Sequence, residues 1–119
     1  MRILPKTIFC DIDGILVHHS GDVTEALDSK VLPGAVETVR EWDKKGYRII
    51  LVSGRRESMR AGTEKQLTEI GIIFDQLILG IGGGDRILIN DMKKDKTTHT
   101  CYAYNLVRNE GLESLEIEL

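Results

Sequence analysis

Three short apolar runs, each closed off by polar residues or glycine and separated by stretches long enough for a helix, constrain this chain more than any other feature. Thr7 to Ile12 (TIFCDI), Tyr47 to Val52 (YRIILV) and Leu77-Ile78-Leu79 read as buried strands. Between the first two, Pro33-Gly34 punctuates the start of a helix in which Ala35, Val36, Val39 and Trp42 recur at helical spacing. Lys44 and Lys45 fall in its last turn and Gly46 follows, a standard ending. Residues 58–70 form a second helix with Met59, Thr63, Gln66, Leu67 and Ile70 on one side and Gly71 as its cap. Strand, helix, strand, helix, strand predicts an α/β domain with a mainly parallel sheet.

Beyond the third run, Gly80 to Asp85 is a glycine-rich turn, Arg86 to Asn90 (RILIN) reads as a fourth strand ending at Asp91, and Tyr102 to Leu106 is a candidate fifth. One connection resists this order. Only the short Gly80–Asp85 link joins runs three and four, whereas a parallel crossover needs a dozen or more residues. Either segment 77–79 runs antiparallel to 86–90 or it lies outside the regular order. Residues 111–119 (GLESLEIEL) are acidic and amphipathic, which fits a docking tail or a final turn or strand.

With 119 residues the chain is expected to form one domain, 1–119, whose core needs no disulfide staples. Its 16 basic and 19 acidic residues give a net charge of −3, with no basic stripe, so no nucleic-acid partner is expected. No apolar stretch approaches the ~20 residues of a membrane helix, and the N-terminus lacks the pattern of a signal peptide. Cys10 and Cys101 do not make a secreted disulfide framework. A cytoplasmic protein with free thiols and no membrane partner is the expectation.

The polar strand ends carry the chemistry. Parallel strands share direction, so Asp11 and Asp13, Ser53, and Asn90 with Asp91 fall along the carboxyl edge of the sheet, where open α/β sheets bind ligands. Two carboxylates ~4 Å apart repel by about 4 kcal/mol at an effective dielectric near 20. They persist beside a cation or with one of them protonated. Hard oxygen ligands from two or three acids describe Mg²⁺ binding. Gly14 lets the backbone approach an anion closely. One acid can attack a phosphorus atom while the other moves the proton, and Ser53 can hydrogen-bond a phosphate oxygen.

Asp11-Ile12-Asp13-Gly14-Ile15-Leu16 resembles the first motif of the haloacid dehalogenase (HAD) superfamily. Leu51-Val52-Ser53-Gly54-Arg55 resembles its second, and Ile87-Leu88-Ile89-Asn90-Asp91 with Asp95 its acidic fourth. The resemblance implies a Rossmann-like, three-layer α/β/α sandwich and a phosphatase that hydrolyses a phosphate monoester through an aspartyl-phosphate. The implied substrate is a sugar phosphate or other small phosphometabolite. Asp11 is the implied nucleophile and Asp13 the general acid/base. Asp11, Asp13 through its backbone carbonyl, and Asp91 are the implied Mg²⁺ ligands. Gly14, Ser53, Gly54, Arg55, Lys93 and Lys94 are the implied substrate contacts. Residues 17–32 leave room for a flap, not a cap domain, so a small capless member is expected, its site open or completed by a neighbouring copy in a homo-oligomer.

The superfamily's third motif supplies a Lys or Arg opposite the nucleophile, and the stretch LILGIGGGDR contains no lysine. Arg86, opening a strand that runs towards the site, is expected at its far end. Lys93, Lys94 and Lys96 are better placed, with Arg55 and Arg56 as further candidates. Two alternatives follow: a binding or regulatory module that turns over poorly, and a phosphotransferase with an acceptor other than water. His18 and His19 read as solvent-facing flap residues, Cys10 and Trp42 as core.

Overall fold

The computed structural model describes residues 4–117. Strand β1 is Thr7–Asp11, helix α1 Ala35–Lys44, strand β2 Arg48–Val52, helix α2 Arg60–Ile70 and strand β3 Gln76–Ile78. The strands pair in the order β1-β2-β3, all parallel. This resolves the direction of the third run, which continues the parallel order. Cys10, Leu51 and Leu77 align across the sheet and are all buried. Both crossovers step the same way, so right-handed connection places α1 and α2 on the same face. There Ala35, Val39 and Trp42 of α1 and Leu67 of α2 close a core over Cys10, Ile49, Leu51 and Leu77.

Helix α1 ends as its sequence dictates, with the Lys45 and Gly46 amides turned back onto the carbonyls of Glu41 and Asp43. Helix α2 is preceded by a 3₁₀ turn, Glu57–Met59, and ends at Gly71 with φ +94°. The α/β class, the parallel sheet and the lack of a large cap agree with expectation. The helical layer described is that of one face. On the other face Phe9 is 56% exposed and Ile78 38%, and among the described residues no helix covers them.

Residues 86–90 correct the sequence reading. They form no strand among the described residues, nor do residues 102–106. Ile87 and Ile89 are 86% and 90% exposed. The physical reason is the link that precedes them. It is too short to return to the amino end of the sheet, so it crosses the carboxyl edge instead. The Gly80 amide donates to the Arg55 carbonyl at 2.7 Å, and Gly82 packs against Gly54.

The acidic tail docks. Leu112 is buried in the core, with Leu106, Leu115 and Ile117 packed against it. The Leu112 amide donates to the Pro33 carbonyl at 3.0 Å. Gly111 is required at this crossing. Its φ is +81°, and a Cβ there would lie 2.1 Å from the Pro33 oxygen.

Candidate active site

The turn after β1 is built on a fully buried frame. Ile12, Leu16 and Val17 are inaccessible, and the amides of Leu16 and Val17 converge on the Ile12 carbonyl. Gly14, at φ +89°, donates to the Val17 carbonyl at 2.7 Å. This fixes Asp11 and Asp13 at the mouth of a cleft of about 500 Å³. Residues 18–31 form a closed flap. His18 donates to the Lys30 carbonyl and Leu32 to the Leu16 carbonyl, and a 3₁₀ helix, Val23–Asp28, occupies its middle.

Asp11 Oδ1 accepts from the Ile12 amide at 3.0 Å, and Arg86 lies 3.4 Å from the same oxygen. Oδ2 accepts no hydrogen bond among the described residues. Arg86 thus stands beside Asp11, not at the far end of a strand, because residues 80–86 run across the sheet edge. The partners are both well exposed, so the pair is worth little for stability. Its value is placement of charge.

Asp13 is held very differently. Arg55 grips it as a fork, Nε to Oδ2 at 3.0 Å and Nη2 to Oδ1 at 2.8 Å. The other guanidinium N–H groups donate to Thr63 Oγ1, Gln66 Oε1 and the Ala26 carbonyl. All five donors of this buried arginine are engaged within the protein. Arg55 was expected to contact substrate; its guanidinium instead ties Asp13 to α2 and the flap. Gln66 extends the tie, donating to the Ala26 carbonyl at 2.9 Å.

Gly14 and Gly54 line the cleft. Ser53 is buried and does not. Its Oγ accepts from the Arg55 amide at 3.0 Å, which shapes the turn carrying Arg55. Lys93, Lys94 and Asp91 are exposed and outside the cleft lining. Asp95 caps its own turn, accepting from the Thr98 hydroxyl and from the Thr97 and Thr98 amides, and these bonds, the hydroxyl's foremost, hold its carboxyl far below the usual carboxylate range. The cleft gathers residues that sequence reasoning did not assign: Arg108, and beside it Asn109, whose side chain accepts from the His19 amide at 2.7 Å. Nothing in the local sequence around Arg108 signals this, because the contact spans the whole chain. Cys10, below the site, is pushed up to about 12 by burial and then by the Asp11 charge, so its thiol is inert at neutral pH.

Among the described residues no group of three acidic, histidine or cysteine side chains gathers to hold a metal. Asp11 and Asp13 line the cleft, and the Asp13 backbone carbonyl accepts no hydrogen bond among the described residues, but Asp91 stands outside that lining. With Asp91 away, the residues gathered here do not make the expected centre of Asp11, the Asp13 carbonyl and Asp91.

A parallel sheet with one acid at the end of its first strand and a second in the turn after it, beside an arginine-lined cleft, is that of a HAD-like α/β domain. Within that class the chain belongs to the LNS2 domain family: the family model described as "PITM 1-3, LNS2 domain" matches residues 8–114. Among solved structures it resembles a chain of the Pnkp1/Rnl/Hen1 complex, at 28% identity and a TM-score of 0.58, covering 71% of this chain and 31% of that one. A structure of the Pnkp1/Rnl/Hen1 RNA repair complex matches at 28% identity and a TM-score of 0.56, over 77% of this chain and 29% of that one. The chain therefore spans about a third of these two relatives. A D,D-heptose 1.7-bisphosphate phosphatase from B. bronchiseptica, complexed with magnesium and phosphate, shares the fold at 16% identity and a TM-score of 0.50, covering 67% of this chain and 52% of that one. No curated protein matches the chain by sequence.

Proposed function

We propose that this chain is a phosphatase-type enzyme that hydrolyses a phosphate monoester of a small phosphorylated metabolite, such as a sugar phosphate, at Asp11. One observation carries the reading: Asp11 and Asp13 share a cleft in which Arg86 stands beside the first and Arg55 fixes the second. Asp11 Oδ2, the oxygen without a hydrogen bond, attacks phosphorus and the bond to the leaving alcohol oxygen breaks. Asp13 takes a proton from bulk water and passes it to that oxygen. Water then attacks the aspartyl-phosphate, Asp13 takes the water's proton, and phosphate leaves with Asp11 restored. Each Asp13 oxygen keeps a lone-pair position besides the one given to Arg55. Arg86 offsets charge developing on the phosphoryl group, which is usually the largest catalytic effect.

On this reading the chain is one capless HAD-like domain in which residues 17–32 act as the flap. Substrate contacts come from Gly14, Gly54 and the cleft arginines; Ser53, Lys93 and Lys94 act on phosphate only after rearrangement. Two cysteines without a disulfide accord with a cytoplasmic setting. Mg²⁺ dependence rests on the family resemblance alone, and no step above is routed through the metal.

The test is phosphate release from an aryl phosphate and a sugar-phosphate panel, with and without Mg²⁺. Turnover abolished by Asp11→Asn is expected; activity surviving that change sinks the mechanism. A second reading, a binding module that turns over poorly, is favoured by the exposed position of Arg86. It gains if aluminium fluoride with Mg²⁺ raises the melting temperature while no substrate is hydrolysed. Phosphate appearing on an added alcohol instead of in solution would identify a phosphotransferase.

A further inference from the structure

Two of the four arginines that line the cleft are not matched to an acid. Arg55 and Arg86 are matched to Asp13 and Asp11. Arg56, from the turn after β2, and Arg108, from the C-terminal stretch, also line the cleft. Among the described residues neither side chain makes an ion pair or a hydrogen bond. The remaining lining acid, Asp22, is engaged elsewhere. Its Oδ1 accepts from the Thr24 amide at 2.9 Å and from the Thr24 hydroxyl at 2.7 Å.

The position of Arg108 is built, not incidental. Its neighbour Asn109 adopts φ +67°, a left-handed conformation that asparagine tolerates better than most residues. From there the Asn109 amide donates to the Gly14 carbonyl at 2.8 Å. Its side chain accepts from the His19 amide at 2.7 Å and donates to the His19 carbonyl at 3.1 Å. This clamp sets the Arg108 side chain across Gly14. A Cβ on that glycine would stand 3.2 Å from Arg108 Cγ. A guanidinium offers a fork of donors that matches phosphate and carboxylate oxygens in pairs.

We propose that Arg56 and Arg108 form a second anion contact at the rim of the cleft, so that the preferred substrate is a phosphomonoester whose alcohol part carries a further phosphate or carboxylate. This rests on the phosphatase reading for the first phosphate, but it is tested by binding. The protein carrying Asp11→Asn is titrated calorimetrically, at fixed salt, with fructose 1,6-bisphosphate, 3-phosphoglycerate and fructose 6-phosphate. At least one of the two compounds with a second anion should bind about 10-fold or more tightly than fructose 6-phosphate, roughly the gain of one good charge-assisted contact. Preference for the bisphosphate alone assigns the rim to phosphate; preference for phosphoglycerate alone assigns it to carboxylate. Adding Arg108→Ala should bring the ratio to within about 2-fold, and Arg56→Ala, on an exposed turn, gives the same readout if the first variant fails to fold. Equal affinity for all three, no binding of any, or a preference that survives both changes overturns the proposal. Failure of the phosphatase reading looks different: the binding preference persists while the wild-type protein releases phosphate from none of the three.

Discussion

Arg55 shows how much one side chain can fix. Its five donors join the β1 turn, the flap and α2, and each acceptor it holds is partly or wholly buried. Arg55→Met should cost about 3 kcal/mol in urea unfolding, because it leaves a partly buried carboxylate and two buried polar side chains without their donors. Lysine should rescue little of this, since an ammonium carries three donors and no planar fork. Cys10 makes a second prediction at this scale. Its ordinary value of 9.0 is raised to about 12 in the fold, chiefly by burial. Unfolding therefore releases a proton above pH 9, so the thiol's contribution to stability is complete below 9 and declines as pH rises towards 12, at up to about 1.4 kcal/mol per pH unit. Comparing urea midpoints at pH 8 and 10.5 should show a steeper loss in wild type than in Cys10→Ala. Equal slopes would mean that the thiol is not protected. At the residue scale the acids were legible because D-x-D-G after an apolar run is a strong local pattern. The partners of those acids were not. Arg55 looks from sequence like any basic residue near a strand end, and only its contacts with Thr63 and Gln66 show where its donors go.

Elements were legible where the cue was local. Helix α1 is announced by Pro33-Gly34 and closed by Lys44 to Gly46, and it begins and ends within a residue of expectation. The RILIN segment carries an equally good strand pattern and does not form one, because a strand also needs a connection long enough to deliver it to the sheet. The six-residue link was the visible warning. Truncation separates the two cases. Ile49→Ala, in the core, should cost about 2–5 kcal/mol, whereas Ile89→Ala should fall within about 0.5 kcal/mol of wild type in the same unfolding experiment. A large loss at Ile89 would mean that the segment packs against the sheet in solution. Gly111→Ala belongs to this scale as well. It forces a crossing of two backbone segments apart and should lower the thermal midpoint by several degrees, roughly what 1–2 kcal/mol produces in a domain this size.

Taken whole, the molecule is a sheet-and-helix body from β1 to β3, then an exposed excursion, then a return. Residues 85–100 are all exposed, and their only backbone–backbone hydrogen bonds among the described residues are Lys93 to Thr98 and Lys96 to Lys93, within the segment itself. Trypsin should cut first at Lys93, Lys94 or Lys96 and leave residues 4–79 intact, as mass spectrometry of a brief digest would show. The return was the least legible part of the sequence, since an acidic amphipathic stretch does not say what it docks against. Its docking gives the excursion a consequence. Residues 105–117 hold to the body through Leu112 and the Asn109 clamp, so they are in effect a peptide ligand tethered to its own receptor. Severing the tether replaces a fixed effective concentration with ordinary mass action. A nicked protein should keep its rim arginine at high concentration, shed it on dilution, and recover it when the missing fragment is supplied in trans.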